Sequence, residues 1–445
     1  MRAAEAQAFA SGVSQVELMD AAALAVAREA VRLARGPVLV LAGPGNNGGD
    51  GYGIASYLSE WGHDVTVASL GMPKGGAAAD MARRWTGRTI ALADAPSEQP
   101  ALVVDALFGT GVTRPLYDAV RTTLAALAGR AEVLAVDLPS GLATDSGDDL
   151  GGIAATITVA LGALKPAHAL AVERCGHVVL APIGLERWIS SDVCSLQRPV
   201  IARPGAGEHK YRALVTVLAG AMPGAARLAA RGAVGAGAGY VVLLGDADIA
   251  GPLDAVVHRP VDALEKTLED GKGVLLVGPG LGRGDDARER LEIALRFAGP
   301  VVLDGDALTS LGRDTAEKLM GRTAPTVLTP HSAEFDRMFG EGGGAKIART
   351  RAAAEATGAT VVHKGHATVM ARPDGSVTVA AGASTWLASA GTGDVLAGAV
   401  AARVAAGGDP AEAVWLHGEA ARLAGPAFAA DQLAKLLPQA MAGCR

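Results

Sequence analysis

A chain of 445 residues is too long for one ordinary core, and at roughly 100–200 residues per domain it divides most naturally into two. Half of its residues are hydrophobic, 19% are charged, and the formal net charge is -6 with no block of Lys or Arg, which excludes a disordered chain and argues against an electrostatic nucleic-acid footprint. Three scattered cysteines, Cys175, Cys194 and Cys444, have no metal-ligand spacing and suit a reducing compartment better than a disulfide framework.

The first ten residues carry Glu5 and lack the apolar core of a signal peptide, and the longest apolar stretches, such as Gly151 to Leu164, are shorter than the roughly 20 residues of a spanning helix. A cytoplasmic protein with small-molecule partners and no membrane partner is expected. Helical apolar spacing covers Val16 to Arg35. Short Val/Leu-rich runs then alternate with helix-length segments: Pro37 to Gly43, Asp64 to Leu70, Ala101 to Leu107, Glu132 to Leu138 and Ile157 to Leu164. Such runs read as buried strands of a parallel sheet. Between Asp192 and Lys210 the periodicity is lost among prolines, glycines and mixed charge, as in a linker.

The alternation restarts with Ala213 to Gly220, Gly239 to Gly245, Gly273 to Gly280, Pro300 to Asp306, Pro325 to His331 and Thr360 to Gly365. Thr368 to Ala381 reads as a hairpin about Pro373-Asp374-Gly375, and helices follow over Thr392 to Ala406 and Pro410 to Ala424. The expected fold class is α/β with two doubly wound domains, residues 1–200 and 201–445.

In the first half, Leu41 to Gly53 (LAGPGNNGGDGYG) leaves a strand and opens a helix. A plain phosphate loop needs no paired Asn and no Asp, so Asn46, Asn47 and Asp50 point to oxygen ligands for a cation or a polar substrate. Asp105 and Asp137 end two later strands, each before a Gly-containing turn. Alone, each is more often a turn-forming Asp; three such strand ends together favour one site.

In the second half, Gly391-Thr392-Gly393-Asp394 opens a helix whose free N–H groups and dipole can hold a phosphate. A carboxylate at that spot suits proton removal from an attacking hydroxyl, whereas the bland reading is a glycine turn with an Asp cap. Four other strand ends accompany it: Val277 to Gly284, Leu303 to Leu308 with two carboxylates, Thr329 to Phe335 with His331 and Glu334, and His363 to Thr368 with Lys364. Ligands of open α/β sheets bind at such ends.

The segments Ala221 to Val241, VGPGLG, LDGDAL, LTPHSAEF, VVHKGHATVMA and SAGTGDVLAG, in that order, resemble the NAD(P)H-hydrate dehydratase family of the ribokinase-like superfamily over nearly all of Lys210 to Leu437. The resemblance implies that a nucleotide phosphorylates the hydroxyl of hydrated NADH or NADPH and that phosphate then leaves. By motif, Ala225, Gly282, His331 and Asp394 would face the hydrate, with Asp394 as base. Lys364, Gly365, His366, Ala367 and Thr368, with Gly393, would contact the adenine nucleotide, with Mg2+ on its phosphates. This chain has a compact turn at Leu218 to Ala225 and Ser332-Ala333-Glu334 where the family usually has Pro-Gly-Glu.

The first half, over Leu18 to Leu185, is similar to the NAD(P)H-hydrate epimerase domain, which is Rossmann-like. The resemblance implies K+ held by Asn47, Asp105 and Ser140. It places the hydrate against Asn46, Asn47, Gly48, Gly49 and Asp50, against Gly109, Thr110, Gly111, Val112, Thr113, Arg114 and Pro115, and against Asp137 as the acid/base. Met19-Asp20-Ala21-Ala22-Ala23 stands where the family often has Met-Glu-Asn-Ala-Gly.

Fusion of the two domains resembles the microbial bifunctional enzymes, for which ADP is the donor and AMP the product, and a homo-oligomer is expected. One rival is a ribokinase-like kinase of a small alcohol. Another treats the first half as a non-catalytic module.

Overall fold

The computed structural model describes residues 1–246 and 254–444. Its chain forms two compact units, Met1–Ser191 and Asp192–Arg445.

The first unit is built on a parallel sheet whose strands are β1 (Val38–Ala42), β2 (Val65–Ser69), β3 (Arg88–Ala91), β4 (Leu102–Ala106), β5 (Glu132–Val136), β6 (Ile157–Leu161) and β7 (His177–Ala181), in the order β3-β2-β1-β4-β5-β6-β7. β1 and β4 are buried along their whole length, as their unbroken apolar sequences require when helices cover both faces. The edge strands β3 and β7 escape an apolar-run reading because they are largely exposed and mix in Arg88, Thr89 and His177. β1 lies between β2 and β4, so the chain leaves it in one direction and returns on the other side. That reversal opens a crevice at the carboxyl ends of the strands.

Helix Gln15–Leu33 starts with a capping box between Ser14 and Glu17 and packs on helix Asn46–Glu60. Small residues let these helices approach closely, a Cβ on Gly53 falling 2.7 Å from Ala23 Cβ, and bring helix Gly76–Arg84 against the second of them, where a Cβ on Gly49 would fall 2.6 Å from Ala78 Cα.

In the second unit the described residues give one sheet of β8 (Val193–Ser195), β9 (Leu214–Leu218), β10 (Tyr240–Leu244), β11 (Val256–Arg259), β12 (Val274–Val277), β13 (Val301–Leu303), β14 (Thr326–Leu328), β15 (Thr360–His363), β16 (Thr368–Ala371) and β17 (Val377–Ala380). Their order is β11-β10-β9-β12-β13-β14-β15-β16-β17-β8. β9 to β15 run parallel, and β16 is antiparallel to both its neighbours through the turn at Arg372–Ser376. The stretch read as a linker in fact supplies β8, which pairs in parallel with β17. Three residues are too few to show a period.

Helices Pro223–Gly235 and Thr392–Ala405 pack against one another over a core rich in Ala. A Cβ on Gly398 would lie 1.8 Å from Ala229 O and one on Gly232 would lie 2.2 Å from Val395 O, so backbone touches backbone there. This close contact fixes the start of helix Thr392–Ala405, where the candidate phosphate turn sits.

Candidate active sites

In the first unit a cavity of about 410 Å3 opens at the strand ends and is lined by Asn46, Asn47, Asp50, Gly109, Thr110, Gly111 and Asp137, among others. Asp137 follows β5 with φ 65°, a left-handed conformation that Asp tolerates better than most side chains. Its surroundings hold it there. Asp137 N donates to Val159 O (2.9 Å) and Leu161 N donates to Asp137 Oδ1 (3.0 Å). Lys165 Nζ is ion-paired to Asp137 Oδ1 and also donates to Leu161 O at 2.8 Å. His168 Nδ1 accepts from Lys165 N (2.9 Å), so Nε2 carries the hydrogen that meets Asp137 O at 2.7 Å. Burial, opposed by that carbonyl, lowers the His168 pKa and keeps the ring neutral.

Asp50 stands on helix Asn46–Glu60, 8% exposed, and among the described residues its carboxyl has no hydrogen-bond partner. Burial raises its pKa well above the usual carboxylate range, and the negative charges of Asp137 and Glu5 push it the same way.

Asp105 is fully buried beneath the cavity floor. Its carboxylate accepts from Ser140 N (2.8 Å), Ser140 Oγ (2.6 Å) and Leu107 N (3.3 Å), and Ser140 Oγ also accepts from Phe108 N at 2.9 Å. All of these donors are neutral, and burial raises the Asp105 pKa despite them. A buried anion without a cationic partner, below Asn47 and the loop Leu107–Gly109, is a donor set that fits a monovalent cation. Asn47 Nδ2 is buried without a partner, and its Oδ1 would lie 3.2 Å from a Cβ on Gly109.

Gly48 and Gly49 are packing positions, since a Cβ on Gly48 would fall 1.7 Å from Gly43 O. Thr113, Arg114 and Pro115 are exposed outside the cavity, and Val112 packs on the cluster of Leu116 and Val120.

In the second unit Gly391 caps helix Thr392–Ala405 in the left-handed conformation (φ 87°), which glycine alone adopts freely. Thr392 Oγ1 lies 2.7 Å from Leu387 O and 2.9 Å from Ser389 O, and His417 Nε2 meets Thr392 O at 2.9 Å. The His417 pKa is lowered to about 4 by burial, so the ring is a neutral strut under the turn.

Lys364 extends from the end of β15 and donates to Asp304 Oδ1 at 2.6 Å, an oxygen that Thr329 Oγ1 also contacts at 2.7 Å. Burial works against its charge, but Asp304, Glu334 and Asp394 outweigh that and raise its pKa. A Cβ on Gly393 would lie 3.6 Å from Lys364 Nζ, which puts the ammonium at the helix N-terminus. Asp394 has its pKa raised to about 6 by burial and by Asp304, Asp306 and Glu334, with Lys364 opposing. Asp306 accepts from Gly282 N (3.0 Å) and Arg283 Nε (2.9 Å), and Glu334 accepts from His331 N (2.8 Å). Gly282, His331 and Asp394 are thus tied to one field of carboxylates. Ala225 lies in the first turn of helix Pro223–Gly235, just after Met222, whose N donates to Gly280 O at 2.9 Å.

A cavity of about 1120 Å3 adjoins this group, lined by His331, Lys364, Gly365, His366, Thr368 and Gly393 and by Thr385–Ala388. Ala367 is buried behind it and its carbonyl accepts from Lys346 Nζ at 2.7 Å; the same ammonium donates to Lys364 O at 3.1 Å. Burial lowers the Lys346 pKa to about 8.

Lys165, His168, Lys346 and His417 are absent from the sequence reading. Lys165 had one available signal, a lone Lys closing an apolar stretch before Pro166; the histidine of a helix such as Pro410–Ala424 has none. No helix among the described residues is long and apolar enough to cross a membrane.

Both units are similar to known proteins. The family model NAD(P)H-hydrate dehydratase matches residues 215–442, and the model YjeF-related protein N-terminus matches residues 15–167. A bifunctional NAD(P)H-hydrate repair enzyme of Mycobacterium tuberculosis is 36% identical over 92% of this chain and 88% of its own length. That of Thermofilum pendens is 34% identical over 98% of this chain and 93% of its own. A solved ADP/ATP-dependent NAD(P)H-hydrate dehydratase from Bacillus subtilis, co-crystallised with ATP/Mg2+, is 28% identical with a TM-score of 0.50, covering 55% of this chain and 95% of that one. A ribokinase-like superfamily protein of Enterococcus faecalis, at 24% identity and a TM-score of 0.52 over 57% of this chain and 98% of that one, shares the fold.

Proposed function

The chain belongs to the family of bifunctional NAD(P)H-hydrate repair enzymes, and we propose how its two units divide that repair. The unit Met1–Ser191 interconverts the R and S hydrates of NADH and NADPH. The unit Asp192–Arg445 uses an adenine nucleotide to return the S hydrate to NAD(P)H. ADP is the donor, leaving AMP and phosphate.

The observation that carries the second assignment is the Asp394 carboxyl beside Lys364 and the start of helix Thr392–Ala405. The N–H groups of that helix start and the Lys364 ammonium hold the phosphates, while Asp394 takes the proton of the hydrate's hydroxyl as phosphorus is transferred to its oxygen. The carbon–oxygen bond then breaks toward phosphate, the ring nitrogen pair fills the gap, and loss of a proton from the adjacent carbon restores the dihydropyridine. Mg2+ would neutralise charge on the phosphates. Lys364, Gly365, His366, Thr368 and Gly393 take the nucleotide, with Ala367 supporting them; Ala225, Gly282 and His331 take the hydrate.

In the first unit Asp137 supplies acid–base chemistry at the hydrate, and Asn46, Asp50 and Gly109–Gly111 surround it. The buried Asp105 carboxylate with Ser140 and Asn47 supports a K+ site. K+ would organise the floor on which the hydrate rests.

Purified protein with mixed hydrate epimers, Mg2+ and each nucleotide in turn tests the reading. ADP is expected to bring complete consumption, regained dihydronicotinamide absorbance, and equal AMP and phosphate, in K+ but not in Na+ buffer. Consumption of one epimer alone rejects the epimerase assignment; a stable phosphate ester rejects dehydration in favour of a plain kinase.

A further inference from the structure

We propose that Asp50 and Asp137 form a two-carboxyl pair acting on opposite faces of the hydrated ring, one as acid while the other is base. This rests on the epimerase reading of the first unit and goes further by assigning Asp50 a catalytic role. Both carboxyls line the same cavity and both are nearly buried, at 8% and 9% exposure. They approach it from different elements: Asp137 ends β5, while Asp50 stands on the helix that follows β1, with β4 between the two strands. The two carboxyls thus enter one cavity from separate elements, and a ring bound in that cavity can meet one on each of its faces.

The two carboxyls also differ in what surrounds them. Asp137 accepts from the Lys165 ammonium and from Leu161 N. Asp50 has no such partner; Glu5 and Asp137 face it, and Arg2 lines the same cavity. The helices Gln15–Leu33 and Gly76–Arg84 bring only Gln15, Leu18, Met19, Ala22 and Ala77 to the cavity, none of them charged. One carboxyl held by an ammonium and one left without a partner are the unlike pair that acid and base roles need.

The step balances without oxidation or reduction. The Asp50 proton passes to the hydroxyl oxygen, the carbon–oxygen pair leaves with water, and the ring nitrogen pair forms a planar iminium. A solvent water adds to the other face, the pair returns to nitrogen, and the proton of that water passes to Asp137. The enzyme is then poised for the reverse direction, and proton exchange with solvent resets it.

The test uses the full chain in K+ buffer without nucleotide, separated epimers and H2 18O. The parent protein is expected to place one solvent oxygen in each epimer formed. Asp50→Asn and Asp137→Asn should each slow interconversion about 100-fold or more. Each variant should still exchange the oxygen of one epimer, and the two variants should exchange opposite epimers, an asymmetry that a structural role would not produce. Asp50→Glu should recover part of the lost rate. Interconversion by Asp50→Asn within about threefold of the parent, or exchange of the same epimer by both variants, overturns the pair. Should Asp50→Asn fail to fold, the parent's pH profile decides: one ionised and one protonated carboxyl require a bell, and a single limb overturns the proposal. A parent that interconverts nothing rejects the epimerase reading itself.

Discussion

The His168 ring nitrogen Nε2 lies 2.7 Å from the main-chain oxygen of Asp137, and this bond fastens a residue held at φ 65°. A left-handed Asp persists only where its surroundings over-determine it. Replacing His168 by Leu leaves a buried carbonyl unpaired and should cost about 1–3 kcal/mol. Epimerisation should fall while nucleotide-dependent dehydration of the S hydrate continues. The sign with pH follows from the lowered pKa of His168. Its stabilisation is full above the ordinary imidazole value and is lost as pH falls toward the folded value. Melting temperatures of the parent should therefore fall more steeply below about pH 6.5 than those of His168→Leu.

Lys165 contributes to the same site through charge. Lys165→Met leaves the Asp137 carboxylate nearly buried without its ammonium, an uncompensated charge. The expected outcome is a loss of epimerisation of about tenfold or more while dehydration of the S hydrate continues. Lys165→Arg should restore much of the rate. An unchanged rate would show that Lys165 does not hold Asp137 for the reaction.

The sequence displays the groups at strand ends and hides those that brace them. Asp105 and Asp137 each close an apolar run four residues before a glycine, because a strand that ends at a site exchanges core for chemistry at one residue, and Asp394 follows Gly393 at a helix start. Lys165, His168 and Lys346 act through main-chain oxygens, and a carbonyl leaves no mark on the residue that carries it. The same limit applies to the sheets. Central strands such as β1 and β4 are legible because burial on both faces demands apolar residues, whereas β3, β7 and β8 are partly exposed and need only backbone pairing. The run Val112–Pro115, read as lying at the hydrate, has Thr113, Arg114 and Pro115 exposed and Val112 packed on the cluster that holds Leu116.

Lys346 offers a test of such bracing in the second unit. Its ammonium joins Lys364 O to Ala367 O and so shapes the loop proposed to receive the nucleotide. Lys346→Met removes two charge-assisted bonds behind that loop. Nucleotide affinity should weaken about tenfold or more, on the scale of one such bond at about 1.5–3 kcal/mol, with a smaller change in kcat. Titration calorimetry with ADP and Mg2+ reads the first effect and saturating kinetics the second. Equal affinity in the variant would show that the loop holds its form unaided.

Asp394 combines a cost to the fold with a gain in chemistry. Its pKa is raised to about 6 by burial and by Asp304, Asp306 and Glu334, although Lys364 pulls the other way. As a base it must be ionised, so dehydration under saturating ADP should rise with pH through about 6 and then level off. Stability runs in the opposite sense. A carboxyl whose folded pKa lies above its unfolded value stabilises the fold below the unfolded pKa, and that contribution is lost as pH rises through the folded one. At neutral pH the charged Asp394 therefore opposes folding, and Asp394→Asn should raise the melting temperature of its unit while lowering dehydration by about 100-fold or more. The gain in stability should be about 1–2 kcal/mol after solvent screening, since the carboxyl is not fully enclosed. It should vanish at pH 4, where both proteins are neutral at this position. A variant that loses activity and stability together at pH 7.5 would instead make Asp394 a helix cap, and would remove the base from the site.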